Sequence, residues 1–287
     1  MERGILFSRP GPGSVLEDRF ESEADVADYL GLPTCVVNVD LVVDREPHLA
    51  TEDVPSGEWV YRGPILRAEA YEELASALAE RGAMLFTEPA AYAHGHYLPE
   101  HYDAIADRTA ESRWTYGTDV DEAFELAREL GPGPYLLKDH VKSAKEAWEE
   151  ACFVPAGADR EAFAAVARGL LAERGDAFER GFVIRRFLEL RTSGVRDQAR
   201  RIPEEHRLYF VEGRLVAHAP YHGFTQPLRD LAPYAELGAR IDSPFFAADV
   251  AFRAEDDEWL VVEVNDGGIA VPPEDLDLVA LYEALGG

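Results

Sequence analysis

The runs Phe245-Phe246-Ala247-Ala248-Asp249-Val250-Ala251-Phe252-Arg253 and Trp259-Leu260-Val261-Val262-Glu263-Val264-Asn265 flank the acidic turn Glu255-Asp256-Asp257-Glu258. Apolar and β-branched residues on either side of a polar turn predict a β-hairpin, Phe246–Arg253 with Trp259–Val264. In-register pairing about Asp256 sets Asp249 opposite Glu263, with side chains about 5 Å apart on one face. Asn265 lies two residues on and shares that face. Opposed carboxylates repel unless a cation stands between them. Two carboxylates and an amide oxygen are the hard donors that magnesium takes when phosphates complete its shell. In a chain with 55 Asp and Glu, an acidic surface hairpin is the alternative. The apolar flanks Phe245–Ala248 and Leu260–Val262 favour a hairpin packed on a core.

Upstream, Arg207–Val211 and Leu215–Ala219 predict another hairpin around Glu212-Gly213. Glu205-His206-Arg207 leads into it. Arg207 is placed to clamp a phosphoryl group, and Glu205 to accept from a ribose hydroxyl. Further back, the strand Phe182–Leu188 contains Arg185-Arg186-Phe187-Leu188. Such a segment serves as a hinge that binds adenine through backbone and apolar contacts, or as a core strand with exposed arginines. The strand Tyr135–Lys138 runs into a polar loop with Lys142 and Ser143. Lys138 is a point charge for phosphate, and the loop is a candidate lid. A lysine pair on a solvated edge is the alternative. No Gly-x-x-x-x-Gly-Lys is present, so this is not a Walker A loop.

A lysine at a strand end, a hinge strand, Glu-x-Arg, Asp and Glu-x-Asn, in that order over residues 135–268, resemble the ATP-grasp superfamily. The resemblance implies two α/β subdomains that grip ATP, with Asp249, Glu263 and Asn265 holding Mg2+ on the phosphates. The first third resembles a divergent clade of that superfamily, predicted to form amide or peptide bonds. That likeness rests on Tyr61-Arg62-Gly63, Thr87-Glu88-Pro89-Ala90-Ala91-Tyr92, His96–Tyr102 and Ser112-Arg113-Trp114. It implies an ATP-dependent carboxylate–amine ligase acting through an acyl phosphate, on an amino acid or short peptide. The chain departs from the family pattern in three places. Arg185 stands where many hinges have a glutamate to accept from adenine, and arginine accepts no hydrogen bond. The upstream basic residue falls to Arg108 or Arg113. The loop after Lys138 is not glycine-rich.

Alternation of strand-like and helix-like segments predicts an α/β (α+β) protein. An N-terminal α/β domain with its connector covers residues 1–115, and the ATP-grasp fold covers 116–287. In the first part Gly4–Ser8, Cys35–Val43, Trp59–Leu66 and Met84–Thr87 are expected strands, and Glu21–Leu30 and Glu69–Arg81 expected helices. Residues 88–118 are an expected irregular connector. Later helices are expected at Asp121–Leu130, Asp159–Arg174 and Leu276–Leu285, and a polar loop before Arg207.

The net charge of −27 argues against a nucleic-acid partner and requires basic residues to be concentrated wherever a polyanion binds. Cys35 and Cys152 form no disulfide or metal framework, and no apolar run spans a bilayer, so a cytoplasmic protein is expected. His94-Gly95-His96 has no third ligand at fixed spacing. His218, Tyr221 and His222 are candidate substrate contacts, and Gly11-Pro12-Gly13-Ser14 is an expected turn. The rival functions are a phosphotransferase on the same scaffold, an ATP-sensing or partner-binding module, and a metal hydrolase built on His94 and His96.

Overall fold

The computed structural model describes residues 3–9, 20–197, 200–221, 228 and 230–287; Gly11–Ser14 and His222 lie outside them. The chain forms two compact units, Met1–His96 with Thr192–Val250 and Glu263–Gly287, and Tyr97–Arg191 with Ala251–Val262. The first unit draws on both ends of the chain.

The first unit opens with a parallel sheet. Its strands are β1 (Gly4–Arg9), β2 (Thr34–Asn38), β3 (Gly57–Arg62) and β4 (Ala83–Leu85), ordered β2-β1-β3-β4. Alternation drives it: Ile5 and Phe7 enter one core, and Leu6, Trp59 and Tyr61 the other. A parallel sheet buries both faces, and residues i and i+2 share a side. The expected strand Cys35–Val43 stops at Asn38, whose side chain accepts from Asp40 N and caps a short helix, Val39–Val43.

The expected connector is also more ordered than its composition suggests. It holds the helices Pro89–His96 and Leu98–Ile105 and the strand β5 (Ser112–Trp114). Two of its tyrosines, Tyr92 and Tyr97, belong to the core. Tyr92 stacks on Tyr71 at 3.9 Å, and its hydroxyl meets both Leu66 N and Leu66 O. Buried tyrosine is stable there because its polar tip finds partners.

In the second unit β5 joins β6 (Tyr135–Asp139), β7 (Phe153–Val154) and β8 (Phe182–Arg186) in the antiparallel order β5-β8-β6-β7. Two helices cover it. Val120–Glu129 is capped by Asp119, and Arg160–Arg174 by Asp159, whose carboxylate accepts from Ala162 N. Their apolar stripes supply Ala123, Ala127, Phe163, Val166 and Leu170 to the unit's core.

The chain then builds a ribbon where the sequence suggested only a polar loop: β9 (Thr192–Asp197) pairs with β10 (Arg200–Pro203). After it come β11 (Glu205–Val211), β12 (Arg214–Pro220), β13 (Phe245–Phe252) and β14 (Trp259–Asp266). They form an antiparallel sheet ordered β12-β11-β13-β14. The β11–β12 turn uses Glu212 (φ 49°) and Gly213 (φ 74°), the left-handed pair that a tight hairpin needs. The helix Leu278–Gly286 closes the unit. Tyr209, Val211 and Phe245 share a core with Ile5, Phe7, Leu281 and Tyr282. Among the described residues, no helix is long and apolar enough to cross a membrane.

Candidate nucleotide and metal site

The antiparallel sheet brings together most of the acidic candidates. Arg207 on β11 donates through Nε and Nη2 to the two oxygens of Asp249 on β13, each at 2.7 Å. Nη1 donates to Val271 O at 2.8 Å, and the guanidinium lies 4.3 Å from the Tyr221 ring centroid. Asp249 is 1% exposed. Burial pulls the Arg207 guanidinium toward losing its proton, and the Asp249 charge more than offsets it, so its pKa is raised. Glu205, buried, begins β11. Glu263, half-buried, and Asn265, buried, lie on β14, the hydrogen-bonded neighbour of β13.

This donor set suits magnesium. Each Asp249 oxygen has taken one hydrogen bond from Arg207 and keeps a further lone-pair direction. Glu263 and Asn265 add two more hard oxygens. Among the described residues, no three His, Cys, Asp or Glu side chains form a metal-binding group of their own. Such an open set is what magnesium uses when substrate phosphates fill the remaining positions.

The segment that follows β14 is pinned from several sides. Arg62, at the end of β3 and fully buried, donates to Gly267 O at 2.5 Å and Ala270 O at 3.1 Å. It is itself gripped by Glu23 at 2.8 Å through Nε and Nη2, and Tyr282 Oη donates to the same carboxylate at 2.6 Å. Tyr209 Oη donates to Ala270 O, and Gly63 N to Gly268 O. Asp266 is buried, with Oδ1 accepting from Gly268 N at 2.8 Å. Burial pushes its carboxyl up to about 7, against the lowering effects of that N–H and of Arg62. The sequence quoted Arg62 without a role. An arginine closing the apolar run Trp59-Val60-Tyr61 is the available signal, since a charge there needs a buried partner.

The second unit carries the basic candidates. Lys138, on β6, is buried. The loop after it is fixed at its base by Asp139, for which the sequence assigns no role. Asp139 Oδ1 accepts from Val141 N at 2.7 Å and Lys142 N at 2.6 Å. Its Oδ2 accepts from Arg174 Nε at 2.8 Å. Aspartate at the first position of a turn is the signal that would have found it. Lys142 and Ser143 follow, partly exposed.

Arg185 does not point its donors outward. They go to Val261 O, Val262 O and Thr109 Oγ1, so this side chain ties β8 to the hairpin end. Arg186 donates to Leu130 O. Phe187 packs against Phe153 at 5.3 Å and Trp148 at 6.3 Å, while its N–H donates to Pro134 O. Leu188 is partly buried, and its strand ends at Arg186, two residues early.

Of the remaining candidates, Arg108 packs over the Trp259 ring, and Arg113 meets Glu111 at 3.1 Å and Glu129 at 3.7 Å. His96 lies against the Tyr92 ring at 5.3 Å on the helix it shares with His94. His218, on β12, pairs across from Leu208 of β11.

Comparison with known proteins gives a family and a fold. A family model described as an ATP-grasp domain, clade family 3, matches residues 129–285. A RimK domain protein ATP-grasp from Sphaerobacter thermophilus DSM 20745 is 16% identical. It superposes with a TM-score of 0.59 over 99% of this chain and 100% of that one. The ATP-grasp ligase PsnB, complexed with a minimal precursor, is 13% identical with a TM-score of 0.60 over 99% and 98%. An N5-carboxyaminoimidazole synthase from Aspergillus clavatus, in complex with ADP and 5-aminoimidazole ribonucleotide, is 12% identical. Its TM-score is 0.57 over 99% and 79%. At these identities the likeness is one of fold. No curated protein matches.

Proposed function

The chain belongs to the ATP-grasp domain family, in its clade family 3, and from that premise we propose that it is an ATP-dependent carboxylate–amine ligase. The observation that carries the reading is the cluster of Glu205, Arg207, Asp249, Glu263 and Asn265 on one antiparallel sheet, with Arg207 and Asp249 locked together and buried. A fold needs no such set for stability, since apolar residues of similar volume commonly serve as well as a buried ion pair.

Asp249, Glu263 and Asn265 would hold magnesium, which supplies charge neutralisation on the phosphates when bound. Lys138, with Lys142 and Ser143, binds phosphate oxygens, and Asp139 holds the start of their loop in place. Phe187 and Leu188 offer adenine an apolar surface and backbone groups. Glu205 accepts from the ribose. Arg207 offsets charge at the γ-phosphate.

A substrate carboxylate oxygen attacks the γ-phosphorus of ATP. The β–γ phosphoanhydride P–O bond breaks and its electron pair leaves with ADP. An amine then attacks the carbonyl carbon of the acyl phosphate. The C–N bond forms, inorganic phosphate departs with the C–O electron pair, and the nitrogen gives a proton to solvent. Positioning and cations dominate such transfers. The carboxylate and amine are proposed to come from amino acids or a peptide; PsnB, of the same fold, is complexed with a precursor.

Hydroxylamine trapping tests the reading. ATP, magnesium, hydroxylamine and pools of amino and organic acids should yield hydroxamate together with ADP. ADP without hydroxamate in any pool would point to a phosphotransferase, and absence of ATP binding would overturn the reading entirely.

A further inference from the structure

We infer that Arg62 is a positioning residue for the metal ligands: from the end of β3 it sets the place of the segment that continues directly from Glu263 and Asn265. This inference rests on the proposed use of magnesium and deepens it.

The segment 266–271 carries no regular structure beyond its first residue, yet its carbonyls are held individually. Arg62 takes Gly267 O and Ala270 O. Tyr209 takes Ala270 O as well, Gly63 N takes Gly268 O, and Arg207 takes Val271 O. Two of the donors are guanidinium groups, Arg62 and Arg207. One of those, Arg207, also grips Asp249. The loop therefore joins every proposed metal ligand to a donor of fixed position.

Arg62 is the member best placed to govern it. Its side chain is wholly buried, it spans more than 200 residues of sequence to reach the loop, and its own orientation is imposed. Glu23 faces it with two parallel hydrogen bonds of 2.8 Å, and Tyr282 fixes that carboxylate. A planar fork held on one edge by a carboxylate presents its remaining donors in one geometry only, which lysine cannot reproduce. Neighbouring glycines show how closely the loop runs against β3 and β13. A β-carbon on Gly268 would come 2.5 Å from Tyr61 O, and one on Gly267 2.4 Å from the Phe245 ring. Groups that orient metal ligands in this way commonly change metal affinity by 10- to 100-fold when lost.

Calorimetry with ADP as the probe, in EDTA and across a magnesium series, tests this on the full chain, alongside thermal unfolding in EDTA. Arg62→Lys should raise the magnesium concentration needed for tight ADP binding by roughly tenfold or more, and leave ADP affinity in EDTA unchanged. Thr51→Val is the control. It removes a buried hydroxyl bonded to Pro47 O and His48 O in the same unit, and should lower the unfolding temperature without moving the magnesium requirement. A magnesium shift in Arg62→Lys no larger than in Thr51→Val overturns the inference. If Arg62→Lys does not fold, Tyr282→Phe takes its place: a rise of a few-fold in the magnesium requirement supports the inference, and none overturns it. A wild-type protein whose ADP binding ignores magnesium would overturn the metal reading itself, and this inference with it.

Discussion

Arg207 and Asp249 face each other through two parallel hydrogen bonds of 2.7 Å, with side chains 6% and 2% exposed. A charge pair so placed is asymmetric in its energetics. Removing one partner strands the other in a medium that cannot solvate it, which costs about 3–5 kcal/mol. Arg207→Ala should lower the urea midpoint accordingly. The double variant Arg207→Met with Asp249→Leu should recover most of that loss while forming no ADP. A single-variant cost under about 1 kcal/mol would show that the pair is solvated.

Asp139 makes a separable prediction about the loop after Lys138. Asp139→Ala removes the acceptor of the Val141 and Lys142 amides, and hydrogen exchange there should accelerate by at least about tenfold, with weaker nucleotide binding. Asp139→Asn keeps that acceptor and gives up the Arg174 ion pair, so exchange at the two amides should stay near wild type. Equal protection in the alanine variant would mean that the turn is held by something else.

His140 sets a pH dependence. Its Nε2 donates to Thr115 O at 2.8 Å, and burial holds its pKa below the usual 6.5. The unfolded chain thus takes up a proton before the folded one as pH falls below about 6.5. Stability present above that pH is lost on acidification, by at most about 1.4 kcal/mol for each pH unit until the folded group titrates. Urea midpoints at pH 7.5 and 5.5 should differ more for wild type than for His140→Gln, whose amide can keep the bond to Thr115 O. Equal differences would place the acid sensitivity elsewhere.

Gly268→Ala tests the packing of the segment after Asn265. The obstacle to a methyl group is the Tyr61 carbonyl, at 2.5 Å, and backbone cannot swing aside. A cost of about 1–3 kcal/mol is expected, with a higher magnesium requirement for ADP binding. A neutral outcome would show that the loop stands further from β3.

The outline of the fold was legible because period and punctuation agree. Alternation in Gly4–Ser8, the Asp159 cap and the Glu212-Gly213 turn each name an element that the structure contains. Errors arose where a residue type has two uses. Valine predicted a strand through Val43, but Asn38 caps a helix. Tyr92 and His96 fall in an expected irregular connector, but they sit on a helix with their side chains in the core, where tyrosine is stable once its hydroxyl is bonded. The acidic and basic candidates can be named from sequence because each belongs to a short local motif. Glu23, Arg62 and Tyr282 were beyond reach for the opposite cause: only the fold brings them together.

The bond from Tyr282 to Glu23 closes a separation of 259 residues. A ribosome adding some 5–20 residues per second leaves Glu23 waiting on the order of tens of seconds for its tyrosine. The strands β1–β4 are made first, yet one face of their sheet shares its core with Phe245, Leu281 and Leu285. Residues 97–191 can bury apolar surface among themselves long before then. The β1–β4 sheet is thus finished after the elements that follow it, and it spends its early life with an apolar side open to chaperones and to misassembly.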